Sequence, residues 1–502
     1  MTPDSQNPIW KRQLALAISI GMAFIAMILA TAGSEILTRP LWMDEVHTWL
    51  IVTDPSLSHA MTALSHGADF NPPTYYLAVR VFTVLFGSSF TAIRLFSLLA
   101  MAGSLGLIAA MLGRRFGFVA SAAATSAIAM QPLIIQQATE GRFYSFWFLL
   151  VVAFVFVRSS NGSELKRTVV SSLFAVLICT VHYFGVLSLG LIFLVDWRNQ
   201  DREAGRLNWL RFASPYLAGA VSVVGCMGFY FGQRSSLSVA TWISSPTLAR
   251  TYEFFLAFFP ILPLALAGIG WLLFRSEATD EGNESHRYCL SLSCFGMPVV
   301  LLGFTLVLQP VLVERYAIVC FVAWPVVIAT MLKKVKPMFG IAFIAVCILL
   351  GADTSRDLLV RYRQIDTEAK RIASRLESVS EPVIFEDRIE HYPAVLGRPE
   401  RSWFLLDFEG SAKEKVKLRT VQRDVGRAVS RFYPQFDVRS MDRLVSEGQQ
   451  SFVVVPYRVD LVDHESAADE RRLREEYPEF NIKRIARRVF RFQYRGLPAA
   501  AK

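Results

Sequence analysis

The sequence predicts a mainly α protein: a polytopic transmembrane helical bundle of about eleven spans with interfacial helices, followed by a C-terminal soluble α/β domain. Three observations lead there. Of 502 residues, 53% are hydrophobic and the mean hydropathy is +0.37, too apolar for an ordinary soluble enzyme. Only 19% are charged, and unevenly so. Apolar runs fill the first two thirds, and both signs crowd the chain from about Asp353. Finally, Lys and Arg gather in the short turns between apolar runs, as membrane insertion requires.

The elements follow in order. Lys11–Arg12, an apolar run at 14–32 and the Ala30-Thr31-Ala32 triplet resemble a cleavable signal peptide. A retained signal-anchor is the preferred reading, because the polar loop carrying the candidate chemistry follows at once. Further spans are read at 90–112, 118–135, 143–157, 169–181, 184–195, 212–231, 254–274, 290–308, 317–332 and 339–350. Segment 72–86 decides the topology. At about 15 residues it is too short to cross, and it suits a helix lying along the interface. With it excluded, the basic residues at 11–12, 114–115, 158–167, 198–211, 275–287 and 333–336 all become cytoplasmic. The N-terminus is then inside and the C-terminal domain outside. Residues 1–351 form the membrane domain and 352–502 the soluble one. The latter begins with a helix at 356–376 and has strands at 382–386, 403–406 and 452–455 with a helix at 423–432 between, a small α/β layer.

The net charge of +10 does not call for nucleic acid, since the basic residues sit in membrane turns; the 483–488 basic cluster, interleaved with apolar residues, reads as a solvated face. The six cysteines, Cys179, Cys226, Cys289, Cys294, Cys320 and Cys347, lie in apolar segments without disulfide or zinc spacing.

Candidate chemistry lies at span ends. Asp44 and Glu45 directly follow the first span. They can cap a short helix at 46–52, or one carboxylate can serve as a general base while its neighbour tunes it or binds a cation. Glu140, with Arg142 and Tyr144 close behind it, can stabilise a helix start, or contact an acceptor or a metal. His182–Tyr183 can be an interfacial aromatic belt or bind a phosphate. Arg315, beside Glu314 and Tyr316, can form a surface pair, or grip a phosphate through its planar fork. Asn71-Pro72-Pro73 suits a helix start, Asn71 being the cap. His47 alone among the early histidines lies near Asp44, and a divalent metal cation on Asp44 and Glu140 stays open. The predicted topology brings all these groups to the non-cytoplasmic face.

Taken together, WMDE after the first span, NPPTYYL, AIRLFS, EGRFYSF and the late ERY resemble the bacterial polytopic glycosyltransferases that use polyprenyl-phosphate sugars. These include the aminoarabinose transferase, protein O-mannosyltransferase and rhizobial lipopolysaccharide-core transferase types, and the likeness covers about 10–335. It implies a transferase of the bacterial inner membrane, with its C-terminal domain on the periplasmic or extracellular side. Asp44 would deprotonate an acceptor hydroxyl on a glycan, lipid or protein, and the sugar would transfer with inversion. Arg315, helped by Tyr316 and His182, would stabilise the departing polyprenyl phosphate. Two positions depart from the pattern: Asn71 stands where relatives often have His, and His182 where they often have Lys. A transporter or flippase of lipid-linked sugars is the alternative; it would place ionisable groups at mid-span and show inverted repeats, neither of which the sequence displays.

Overall fold

Long apolar runs must satisfy their own backbone hydrogen bonds in lipid, and here they do so as helices. The computed structural model describes residues 7–160, 163–198, 206–236, 243, 246–274, 286–385, 403–406, 417–455, 470–471, 473–475, 477–486 and 489–495. Of the basic turns predicted at 198–211 and 275–287, residues 199–205 and 275–285 lie outside the described residues, as do Arg487 and Arg488. Among the described residues six helices are long and apolar enough to cross a membrane, or eight if each of two bent pairs is one span. This is a multi-pass membrane protein.

The difference from eleven spans has local causes. Predicted span 90–112 and the start of 118–135 are the two parts of the helical stretch Phe90–Ala129, in which helical structure runs on past Arg114–Arg115 before it breaks. It is interrupted at Gly117, whose φ of 77° only glycine adopts without strain. The rest of the second, Pro132–Thr139, pairs with Tyr144–Arg158 in a span bent by 113°. Predicted spans 169–181 and 184–195 are the helices Glu164–Val181 and Gly185–Arg198. The first carries Glu164, Lys166 and Arg167, and the second, at about 1.5 Å per residue, falls short of an apolar core about 30 Å thick. Thr74–Phe86 is a separate 13-residue apolar helix, short as expected. Its N-cap is Pro73, with no side-chain capping bond, so Asn71 is not the cap that its residue type suggested.

The chain packs as two units. The first holds 1–38, 71–228 and 243–360; the second holds 39–70, 229–242 and 361–502. The sequence boundary at 351/352 falls earlier, within the single helix Pro337–Leu376, which also absorbs the separate helix expected at 356–376. No proline interrupts that stretch, and Thr354 and Ser355 hydroxyls fold back onto the Leu350 and Gly351 carbonyls.

In the first unit the helices share two ends. At one, Arg114 Nε donates to Gln13 Oε1, beside Lys11–Arg12. Arg158 and the Tyr216 hydroxyl engage Asp196, and Arg211 pairs with Glu164. At the other, Arg94 donates to the Leu37 carbonyl and the Ser97 hydroxyl to the Arg142 carbonyl. The helices Tyr144–Arg158, Glu164–Val181 and Gly185–Arg198 each run between the basic end and the end that holds His182.

The second unit contains helices Met43–Thr53, Leu57–Ser65 and Lys417–Phe432 and a six-stranded sheet. Its strands are β1 Val383–Phe385, β2 Trp403–Leu406, β3 Val438–Arg439, β4 Ser451–Val455, β5 Phe480–Ala486 and β6 Val489–Tyr494, in the order β3-β2-β1-β4-β6-β5. The four strands β3, β2, β1 and β4 pair in parallel; β6 is antiparallel to β4 and to β5. Ile384, Phe452, Val454, Ile482, Phe490 and Phe492 share the core of one face. Lys483 and Arg484 are exposed on β5.

Candidate active site

The break between Pro132–Thr139 and Tyr144–Arg158 is Glu140-Gly141-Arg142-Phe143. A sharp bend inside an apolar span frees backbone groups, and such breaks hold ligands in membrane proteins. The helix after the break begins at Tyr144, with no side-chain cap from Phe143, and directs its positive end toward the break.

Three elements converge on this break. Glu140 and Arg142 come from the break itself and are buried, at 2% and 5% exposure. His182 closes the helix Glu164–Val181, where Gly185 is needed because any Cβ would strike the Ile178 carbonyl oxygen. Arg315 and Tyr316 open the 3-10 turn Glu314–Val322. The Arg315 guanidinium lies 5.5 Å from the Tyr144 ring centroid, and that of Arg142 5.2 Å from Phe143. The His182 ring meets Phe143 and Trp147 at 4.7 Å each, Tyr316 at 5.6 Å and Tyr144 at 6.0 Å.

His182 is 4% exposed. Burial, then the nearby Arg142 and Arg315 charges, hold its ring down to about 3, so it is neutral at ordinary pH. Its Nδ1 accepts the Phe184 amide at 3.0 Å, which places the proton on Nε2. That Nε2 is buried and meets no hydrogen-bond acceptor among the described residues. A buried donor left this way costs free energy until something accepts from it.

Glu140 is held by two amides, Gln136 Nε2 at 2.8 Å and Gln137 Nε2 at 3.4 Å, one on each carboxylate oxygen. Sequence reasoning passed over both glutamines, although their spacings of four and three residues before Glu140 were the signal. Among the described residues no three His, Cys, Asp or Glu side chains gather to hold a metal. No step below is routed through a metal. Tyr183 is half-buried in the turn before Gly185, and Asn71 is buried.

In the second unit, Asp44 and Glu45 occupy the first turn of Met43–Thr53. Glu45 is fully buried; its Oε2 accepts from the Trp42 amide at 3.2 Å and from Arg39 at 3.3 Å. This is the capping arrangement, with Arg39 as a partner the sequence did not reveal. Asp44 is partly exposed. His47 is buried one turn further on.

No known family profile and no curated protein matches the sequence. Solved structures do match. ArnT from Cupriavidus metallidurans in the apo state aligns with a TM-score of 0.59 over 93% of this chain and 96% of that one, at 13% identity. The chain has the ArnT fold. ArnT bound to undecaprenyl phosphate gives a TM-score of 0.57, covering 93% and 97%, at 14% identity. The mycobacterial arabinofuranosyltransferase AftD aligns at 0.47 and 15% identity, covering 97% of this chain and 40% of AftD. The resemblance to polyprenyl-phosphate-dependent membrane glycosyltransferases thus holds at the level of the fold.

Proposed function

We propose that this protein is a membrane glycosyltransferase that moves a sugar from a polyprenyl-phosphate donor to a glycan, lipid or protein acceptor, with inversion, on the non-cytoplasmic face of a bacterial inner membrane. The carrying observation is the gathering of buried Arg142, half-buried Arg315 and the orphaned His182 N–H at the broken span. Two fixed positive charges, a neutral donor and a helix N-terminus suit a phosphate monoanion or diester at headgroup depth. ArnT, whose fold the chain shares, has been crystallised with undecaprenyl phosphate.

In this reading Asp44 takes the proton of an acceptor hydroxyl, and the oxygen attacks the anomeric carbon. The bond from that carbon to the phosphate oxygen breaks, and polyprenyl phosphate leaves with the electron pair. Arg142 and Arg315 balance the charge that develops, while His182 Nε2–H and Tyr316 donate to the phosphate. Glu140, oriented by its two glutamines, contacts the acceptor. Glu45 anchors the turn that presents Asp44. The positive-inside pattern supports the non-cytoplasmic assignment, because the basic turns lie at the helix ends opposite His182.

The test is sugar transfer in membranes supplied with polyprenyl-phosphate sugars. Asp44→Asn is expected to lower turnover by about 10²–10⁴-fold, the usual contribution of a general base. Transfer at the wild-type rate by this variant would remove Asp44 from the mechanism.

A further inference from the structure

The helix Met43–Thr53 is gripped at both ends by the C-terminal part of its own unit. At its far end Asp54, the C-cap, is 6% exposed. Its Oδ2 accepts from the Tyr433 hydroxyl at 3.0 Å and lies against His59 Nδ1, and its Oδ1 accepts the Ser56 amide. The same Tyr433 hydroxyl is 3.4 Å from the Leu50 carbonyl in the helix's last turn. Tyr433 is buried just past the helix Lys417–Phe432, and Phe432 and Tyr433 both meet the His59 ring edge-on, at 5.7 and 5.6 Å. At the near end, Glu45 is bound by Arg39, and the Arg39 guanidinium stacks 3.6 Å from the Tyr362 ring centroid.

From this we infer that the C-terminal α/β region is a positioning device for the reaction, with Tyr433 and Tyr362 clamping the two ends of the helix that presents Asp44. The inference rests on the glycosyltransferase reading, with Asp44 as base, and gives the C-terminal region a task that its sequence did not disclose. The logic is geometric. A carboxylate in the first turn of an 11-residue helix moves with that helix, and small misplacements of a catalytic group are costly in rate. Tyr433 and Tyr362 are positioning residues; neither need touch substrate.

The experiment uses the full chain in lipid nanodiscs. Tyr433→Phe keeps the ring packing and removes only the hydroxyl; Tyr362→Leu removes the face beneath Arg39, and Tyr362→Phe restores it. Hydrogen exchange at residues 44–54 is followed alongside the kinetics of transfer from a polyprenyl-phosphate sugar. We expect faster exchange in Tyr433→Phe and Tyr362→Leu, with kcat lowered about ten- to a hundredfold, KM for the donor unchanged, and recovery in Tyr362→Phe. Unchanged exchange overturns the clamp. Faster exchange with unchanged kcat, or a change confined to KM, overturns the positioning role. A wild-type protein that transfers no sugar overturns the glycosyltransferase reading and with it the positioning role, and exchange then still judges the clamp on its own.

Discussion

At the scale of single residues, His182 shows how environment overrides residue type. From sequence it stands where a cation is expected, and a histidine is only partly charged near neutrality. Buried beside two guanidiniums, it is held neutral, with its proton on Nε2. Its contribution is therefore a hydrogen bond rather than a charge, and this separates two outcomes. His182→Gln, which retains an N–H donor, should keep most of the transfer rate, whereas His182→Ala should lose about tenfold or more, as a buried bond to a charged group is worth about 1.5–3 kcal/mol. The wild-type rate should show no step attributable to this ring between about pH 5 and 8, the range where an ordinary histidine titrates. A step present in wild type and absent from His182→Gln would contradict the neutral assignment. Asp54 is the opposite case. Burial pushes its carboxyl up, but bonds from His59, the Ser56 amide and Tyr433 outweigh that and hold it below its usual value. A depressed carboxyl stabilises the fold above the unfolded-state value and loses that contribution as pH falls through the folded one. Thermal melts of wild type and Asp54→Asn should therefore differ fully at neutral pH and converge as the pH falls below the ordinary aspartate range. Arg39 was hidden in the sequence because nothing local marks a side chain that is buried by packing, whereas the two glutamines before Glu140 were marked by their helical spacing.

At the scale of elements, the apolar runs were legible because lipid and core both demand them, and their ends were legible where charges stand. What a run of apolar residues does not encode is whether the chain crosses, bends or continues. Residues 118–158 illustrate this: two straight spans were read where the chain has a helix that runs from the Gly117 break to Ala129 and then a pair bent by 113°. The bend sits at Glu140–Phe143, a backbone setting for Glu140 and Arg142 that the apolar pattern did not foretell. In the sheet, β1, β2 and β4 were found as apolar runs. Strand β3 is two residues long, and β5 and β6 mix basic and aromatic residues, so none of the three stood out. Close helix contact is a further property that only packing reveals. A Cβ on Gly106 would lie 2.6 Å from the Ala17 carbonyl oxygen, and one on Gly21 3.1 Å from that of Ala102, so these small residues set the approach of Asn7–Ala32 to Phe90–Ala129. Gly106→Val should lower the thermal stability of the detergent-solubilised protein by about 1–3 kcal/mol through overpacking. Gly117→Ala is a useful contrast: a Cβ there meets nothing within 4 Å, so any loss reports backbone strain alone.

At the scale of the whole molecule, the membrane sorts polar groups by helix end. Side chains such as Val84, Leu272, Leu273 and Val307 stay 70–80% exposed, which is tolerable only against lipid. Between them the first unit keeps its charged pairs, Arg158–Asp196 and Arg211–Glu164, at one end of the helices, and Arg142, His182 and Arg315 at the other. Because short basic turns are retained in the cytoplasm, this polarity makes a prediction about sidedness that does not depend on counting spans. Single cysteines placed at Ser163, beside the basic end, and at Tyr183, beside the site, in a chain whose native cysteines are replaced by alanine or serine, should react differently with a membrane-impermeant maleimide. In intact spheroplasts the Tyr183→Cys protein should label and the Ser163→Cys protein should not; after permeabilisation both should. The reverse pattern would put Arg142, His182 and Arg315 on the cytoplasmic face. A donor presented from outside could not then reach them, and the proposed reaction would have to be placed on the other leaflet.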